Sequence, residues 1–396
     1  RSGARSVING VQANRLYEIH EPEAKAKPPV ALSALTPIFE DVSSRLGHRH
    51  EQPPVDDFIN DPLLPRRTSQ GGPGVAWVDA DRDGWEDLAI MGDDGLQLFG
   101  NTAGRFKPVS DPKADVPALA APFETVERVN GWAKADLDGD GDLDIVVCEF
   151  GNLNGSVLWL EQEENGSFSP HEIDARPGAI HAFPFDADDD GDLDLAVSLS
   201  QLSEEVNLYR NDGEGNFTLE TLMKSDNTWF GMSGLEVYDL DGDGDDDIIY
   251  TNGDTLDMDL PEEQYPHDVH GAAWLENDGT GQFTQHELAR VWGAYTAKPF
   301  DADGDGDIDL VIGTLQFDLV YPGVHQIDLV LLENVGDLTF VRHDLFDSMR
   351  YMITFDVGDI DGDGEADLVG GSHRMGNSGN AHRLVALSWH AEVACD

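Results

Sequence analysis

Short apolar runs recur along the chain, each leaving a cluster of charge and ending in small or polar residues. They are "DLAIMG" (87–92), "DIVVCEF" (144–150), "DLAVSLS" (194–200), "DIIYTNG" (247–253), "DLVIGTL" (309–315) and "DLVGGS" (367–372). The runs are rich in branched aliphatics and too short for helices, so they predict buried strands. A second pattern follows downstream: an apolar strand, an Asn/Gly turn, then Gly-x-Phe. Examples are "LQLFGNTAGRFKPV" (96–109), "SVLWLEQEENGSFSPHEI" (156–173), "VNLYRNDGEGNFTLETL" (206–222) and "AAWLENDGTGQFTQHEL" (272–288), with "LVLLENVGDLTFVRHDL" (329–345) a looser copy. Such turn residues suit a hairpin between two strands.

The charge clusters before the apolar runs are copies of one nine-residue unit. They are "DADRDGWED" (79–87), "DLDGDGDLD" (136–144), "DADDDGDLD" (186–194), "DLDGDGDDD" (239–247), "DADGDGDID" (301–309) and "DIDGDGEAD" (359–367). Asp stands at positions 1, 3, 5 and 9, Gly at position 6, and an aliphatic residue at position 10. One strand into the acidic loop, one out, and a hairpin make four strands per unit. Four-stranded units whose loops start 50 to 62 residues apart predict an all-β fold, a β-propeller. The sixth unit ends with its third strand, "RLVALSWHAEV" (383–393), while an unpaired strand, "PIFEDVS" (37–43), precedes the first loop. The N-terminal strand can therefore complete the last blade and close the ring. Six blades follow, with seven as the alternative.

The acidic unit has the spacing a hard cation needs. Side chains at 1, 3 and 5 converge when the loop curls, the carbonyl of residue 7 adds an oxygen, and position 9 closes the shell. Glycine at 6 permits the sharp turn. The expected ligands are Asp79, Asp81, Asp83, Trp85 (through its carbonyl) and Asp87 in the first loop; Asp136, Asp138, Asp140, Asp142 and Asp144 in the second; and Asp186, Asp188, Asp190, Asp192 and Asp194 in the third. The later loops offer Asp239, Asp241, Asp243, Asp245 and Asp247; Asp301, Asp303, Asp305, Asp307 and Asp309; and Asp359, Asp361, Asp363, Glu365 and Asp367. All-oxygen ligation favours Ca²⁺, about six per chain, over transition metals, which want His or Cys. An EF-hand fails, because position 12 is never Glu and the flanks read as strands.

Composition sharpens this picture. With 24 Lys+Arg against 78 Asp+Glu, the 396-residue chain carries a formal net charge of −54. The six loops hold 32 of the acids and one base, Arg82, so 78 − 32 = 46 acids remain against 24 − 1 = 23 bases elsewhere, and the surface is acidic even with every loop filled. Nucleic acid and anionic membrane are poor partners for such a field. No apolar run is long enough to span a membrane as a helix. Of the two cysteines, Cys148 reads as a buried free thiol and Cys395 lies beside the C-terminus. Arg1 is not an initiator, so the chain reads as a mature form or a piece of something longer.

The DxDxDGDxD loops with Gly-x-Phe strands resemble the FG-GAP/VCBS-type repeats of secreted bacterial and integrin-like propellers. Residues 39–84, with "RPGAIH" (176–181), "YTNGDTLD" (250–257), "HGAAWLEN" (270–277) and "GAY" (293–295), resemble propellers of bacterial ASPIC/UnbV-containing proteins. Residues 1–24 resemble the closing stretch of an ASPIC/UnbV module, 25–35 read as a linker, and 36–396 as the propeller. The resemblance implies a secreted or cell-surface calcium propeller, extracellular or periplasmic, with no assured activity.

Residues shortly before the acidic loops should lie near one mouth of a central channel. Trp132, His181, Trp229, Phe230, Tyr295, Arg350 and Tyr351 are the ligand-binding candidates there, an aromatic and cationic rim suited to sugars and their anionic groups. Blade packing is the plainer use of the same aromatics. Two long excursions, 44–74 with His48 and His50 and 252–271 with His267 and His270, raise a second-metal reading against a backbone-bonding one. The favoured function is an extracellular binding, adhesion or scaffold module for a protein or polysaccharide, not a catalyst. A polysaccharide-lyase-like enzyme using His181, Tyr295 and Arg350, and a subunit of an extracellular assembly, are the alternatives.

Overall fold

A computed structural model describes residues 39–46, 48, 74–78, 83–92, 95–109, 129–149, 155–163, 167–200, 203–227, 229–254, 269–315, 327–345, 352–359, 366–372 and 384–389. The expected N-terminal module and linker fall outside these residues. The described chain is all-β apart from one 3-10 turn, Ser43–Leu46. The first sheet holds β2 (Gly74–Val78), β3 (Asp87–Gly92), β4 (Gly95–Asn101) and β5 (Phe106–Pro108); the second, β6 (Val129–Ala135), β7 (Asp144–Glu149), β8 (Ser156–Gln162) and β9 (Phe168–Asp174). The third holds β10 (Ala179–Phe185), β11 (Asp194–Leu199), β12 (Glu204–Asn211) and β13 (Phe217–Ser225); the fourth, β14 (Met232–Tyr238), β15 (Asp247–Asn252), β16 (Gly271–Asn277) and β17 (Phe283–Arg290). The fifth holds β18 (Ala294–Phe300), β19 (Asp309–Thr314), β20 (Leu329–Asn334) and β21 (Phe340–Leu345). In the last, β22 (Met352–Gly358), β23 (Asp367–Ser372) and β24 (Leu384–Trp389) are completed by β1 (Phe39–Asp41), which pairs antiparallel with β24 from Phe39↔Trp389 to Asp41↔Leu387.

These are the four-stranded antiparallel blades of a β-propeller, and the N-terminal strand removes the edge that β24 would otherwise expose. Successive innermost strands touch: β6 with β10, β10 with β14, β14 with β18, β18 with β22, and β22 with β2. Burial explains why the apolar runs do not alternate. The second strand of a blade is covered on both faces by its neighbours, so β7, β11, β15 and β19 are buried almost throughout. The fourth strands are outermost and polar. All six position-10 aliphatics (Leu88, Ile145, Leu195, Ile248, Leu310 and Leu368) are fully buried. Cys148 lies within β7 as a buried free thiol, and burial pushes its pKa up to about 12.

The innermost strands share one irregularity. A bulge at Asn130, Ile180, Ser233, Tyr295 and Ile353 breaks the register with the second strand in five blades. It turns a carbonyl out of the ladder toward the preceding blade. His181 Nε2 meets the Ser233 carbonyl at 3.2 Å, and Thr296 Oγ1 donates to the Ile353 carbonyl at 2.6 Å. Between these two junctions Gly234 has no side chain to offer. Thr251 Oγ1 fills its place and donates to the Tyr295 carbonyl at 2.8 Å. A Cβ on Gly234 would meet that hydroxyl at 2.4 Å, so the glycine makes room for the substitute donor.

Candidate metal centres

Each acidic loop connects an innermost strand to the second strand of its blade, at the end of the sheet opposite the bulge. Glycine at position 6 has φ between +91° and +103° in Gly84, Gly141, Gly191, Gly244 and Gly306, the left-handed region that other residues enter at a cost. That turn folds the loop over its own carboxylates. Position 1 accepts the position-6 N–H (Gly141 to Asp136 at 3.0 Å, Gly191 to Asp186 at 2.9 Å, Gly244 to Asp239 and Gly306 to Asp301 at 3.1 Å). Position 5 accepts the position-7 N–H in the same four loops and, through Trp85 and Asp83, in the first.

Position 9 joins the loop to the rest of the blade. The carboxylates of Asp144, Asp247 and Asp309 accept the position-2 N–H with one oxygen and, with the other, the N–H of the last third-strand residue: Gln162, Asn277 and Asn334. Asp194 accepts from Asn211 at 2.8 Å, and Asp87 from Asn101 at 2.7 Å, in the same way. Asn211 and Asn277 then reach back a blade, donating to the Leu137 and Ala187 carbonyls at 2.7 and 3.0 Å. The loop is therefore a joint between strands and between blades.

The carboxylates converge. Asp136, Asp138 and Asp140; Asp186, Asp188 and Asp190; Asp239, Asp241 and Asp247; and Asp301, Asp303 and Asp309 each present oxygens within 4.8 Å of one another. Oxygens around one Ca²⁺, each at about 2.3–2.6 Å from it, lie at most about 5 Å apart, so these groups have the right span. Asp136 Oδ1 is buried with no hydrogen-bond donor, as is Asp194 Oδ2, which leaves lone pairs for a cation. Burial pushes Asp194, Asp247 and Asp309 up to about 6, against the pull of their backbone donors. Burial also raises Asp138, Asp241 and Asp303, and neighbouring carboxylates raise them further. A site whose ligands resist ionisation when alone is one in which a bound cation relieves repulsion. The donor set fits a divalent hard cation.

The remaining predicted ligands are placed only in part. Asp83, Trp85 and Asp87 are described in the first loop, and Asp359 and Asp367 in the last; Asp79, Asp81, Asp361, Asp363 and Glu365 lie outside the described residues.

Among the described channel-rim candidates, the contacts seen lie within and between blades. His181 is a blade clasp, and burial lowers its pKa to about 4, so it is neutral at pH 7. The Trp229 carbonyl receives His270 Nε2 at 3.1 Å, while Gly293 N–H donates to His270 Nδ1 at 3.3 Å. His270 is thus fully buried and bonded to backbone, as the plainer reading of the long excursion expects. Phe230 packs against Tyr250, and Tyr295 is a bulge residue. Trp132 falls on β6; Arg350, Tyr351, His50 and His267 lie outside the described residues. His48 packs against Phe99 at 4.9 Å, and burial lowers its pKa.

Sequence reading missed a charged belt on the innermost strands. Lys298 on β18 sits between Glu236 on β14 at 2.8 Å and Asp356 on β22 at 3.5 Å, and Asp356 accepts the Trp77 N–H of β2 at 3.0 Å. All three charged groups fall three residues before an acidic loop, a column whose other members are uncharged, so only the alignment of the repeats could have marked it.

A family model described as FG-GAP-like repeat matches residues 136–197 and 186–250, two overlapping units that span the second to fourth acidic loops. The chain carries FG-GAP-like repeats there. No curated protein matches. Among solved structures, an Agrocybe aegerita lectin that recognises non-reducing terminal N-acetylglucosamine is 20% identical, with a TM-score of 0.41 and 80% of each chain covered. Chaetomium thermophilum Raptor is 11% identical, with a TM-score of 0.37; the match covers 66% of this chain and 21% of Raptor.

Proposed function

We propose that the chain is an extracellular or cell-surface β-propeller, stabilised by Ca²⁺, that acts as a binding or scaffold module rather than a catalyst. One observation carries this reading: in four described loops, three carboxylates each bring oxygens within 4.8 Å of one another at the joint between strands, with Asp247 and Asp309 buried. About six ions, one per loop, would neutralise repulsion that otherwise opposes closing the blades. Because the converged ligands exist only in the folded chain, ion binding would be linked to folding. Each loop has nearly the same ligand set, which suits a structural ion better than a catalytic one. No helix among the described residues is long and apolar enough to cross a membrane.

The acidic surface favours a cationic or neutral partner, an extracellular protein or polysaccharide, over an anionic one. The lyase alternative is less favoured because His181 Nε2 is engaged by the Ser233 carbonyl and burial makes the ring a weak base. Thermal unfolding with metal counting, before and after chelation, tests the proposal. The expected result is bound Ca²⁺ close to one per loop and a melting temperature lowered by ten degrees or more, roughly, on its removal. An unchanged melting curve with no bound ion would defeat it. Incubation with uronate polymers should give no new unsaturated product absorbing in the ultraviolet.

A further inference from the structure

We infer that the loop of the third blade (186–194) is the weakest Ca²⁺ site among the four loops with converged carboxylates, because the chain supplies that loop with a cation of its own, Arg210. The inference rests on the reading of these loops as calcium sites.

One repeat position reverses its sign in the third blade. The third-strand residue that follows the partner of position 10 is Glu161 in the second blade, Glu276 in the fourth and Glu333 in the fifth. In the third blade it is Arg210. Two positions beyond its register partner, on the diagonal of the outermost strand, stands His171, His286 or His343 where the third strand has Glu, and Glu220 where it has Arg. Each of the four makes the cross-strand pair: Glu161 with His171 and Glu276 with His286 at 2.7 Å, Glu333 with His343, and Arg210 with Glu220 at 2.9 Å.

These residues face the loops. The charges of Glu161, Glu276 and Glu333 bear on the position-3 aspartates Asp138, Asp241 and Asp303. Arg210 bears on the corresponding Asp188 directly, with Nη1 at 3.1 Å from its carboxylate. The guanidinium is fully committed: its Nε meets Glu220, and its Nη2 donates to the Gly281 carbonyl of the next blade at 2.6 Å. A Cβ on Gly281 would meet Nη1 at 2.6 Å, so the facing turn is shaped around the arginine.

The loop itself records the difference. In the other three loops the position-5 N–H donates to position 3: Asp140 to Asp138, Asp243 to Asp241 and Asp305 to Asp303. In the third loop Asp190 N–H donates to Asp186 at 3.2 Å instead, and Asp188 faces Arg210. The third loop also has an extra acid, Asp189, at position 4. Asp189 is exposed at φ 63°, and its charge bears on Asp245 of the fourth loop.

Exchanging a Glu–His pair for an Arg–Glu pair changes the charge of the pair by one unit, counting His as uncharged, and reverses the sign of the residue nearer the loop. At separations of about 7 Å in a water-like dielectric each unit alters affinity roughly five- to tenfold, less at physiological salt. The expected gap between the third loop and the other three is therefore roughly five- to tenfold at low salt.

The test is calorimetric titration of the metal-stripped full chain with CaCl₂, for the native sequence and two swapped pairs. Arg210→Glu with Glu220→His gives the third blade the pair of its neighbours; Glu276→Arg with His286→Glu gives the fourth blade the pair of the third. The inference expects the first swap to move one weak ion into the tight class and the second to move one tight ion into the weak class. Isotherms unchanged by the swaps, with ions still bound, would overturn it and leave the calcium reading intact. Absence of any Ca²⁺ uptake would overturn both. The two swaps act in opposite directions, so a loss of folding in one leaves the other to decide, with circular dichroism reporting which variants fold.

Discussion

The two ends of each innermost strand hold the propeller together by different chemistry. At one end, the acidic rim gathers carboxylates that repel one another and join strand to strand through Asp144, Asp194, Asp247 and Asp309. At the bulged end, neutral donors such as His181, Thr251 and Thr296 close onto carbonyls of the adjoining blade. Between them, Lys298 bridges Glu236 and Asp356 without an added ion. The rim is thus the part of the fold whose stability depends on solution conditions. The clasps and the belt involve no group of the acidic loops and should be indifferent to Ca²⁺. Three successive inner strands are thus joined by a pair of carboxylates around one lysine.

Substitutions on each side should separate the two regions. Asp247→Asn carries the largest expected effect, because it removes a ligand and sets an amide N–H₂ against one of two backbone donors, Leu240 or Asn277. With Ca²⁺ present it should cost about 4 kcal/mol in denaturant unfolding, and clearly less after chelation, since the ion's share is then already gone. Lys298→Met should cost about 3 kcal/mol by leaving Glu236 and Asp356 facing each other, and the cost should be the same with and without chelator. Equal calcium dependence for the two variants would erase the distinction between rim and belt.

The pH dependence sharpens the same contrast. In the metal-free chain Asp194, Asp247 and Asp309 titrate near 6, above their unfolded value, so the folded state takes up protons as pH falls through 6 and is stabilised relative to neutral pH. With Ca²⁺ bound these carboxylates stay ionised and gain nothing. The difference in melting temperature between loaded and stripped protein should therefore be largest near pH 7.5 and shrink by several degrees, roughly, toward pH 5. His181, whose pKa of about 4 costs stability as pH falls below its ordinary value, does so in both forms and cancels from the difference.

How much of this was legible in the sequence follows from what each contact uses. The rim was readable because it is built from side chains at fixed spacing, with Gly141 and its equivalents marking the turn. The blades were readable because strands such as "DIVVCE" are buried on both faces and leave an unbroken apolar run. The clasps were not, since His181 and Thr296 reach backbone carbonyls, which any residue supplies, and their column also contains Gly131 and Gly234. That is why His181 read as a ligand contact. Arg210 was readable in principle, as one base among glutamates at the same repeat position, but its meaning needed the contact to Asp188. The double duty of position 9, expected to close a metal shell and found bonded to Gln162 or Asn277 as well, needed the fold.

The most direct test of the account is hydrogen–deuterium exchange read by mass spectrometry, with and without chelator, at a temperature where both forms remain folded. The account predicts that the loops 136–144, 239–247 and 301–309 and the hairpin residues bonded to them, Gln162, Asn277 and Asn334, lose protection when Ca²⁺ is removed, while β14, β18 and β22 around Lys298 keep theirs. Uniform loss across rim and belt, or no change at the loops, would contradict it.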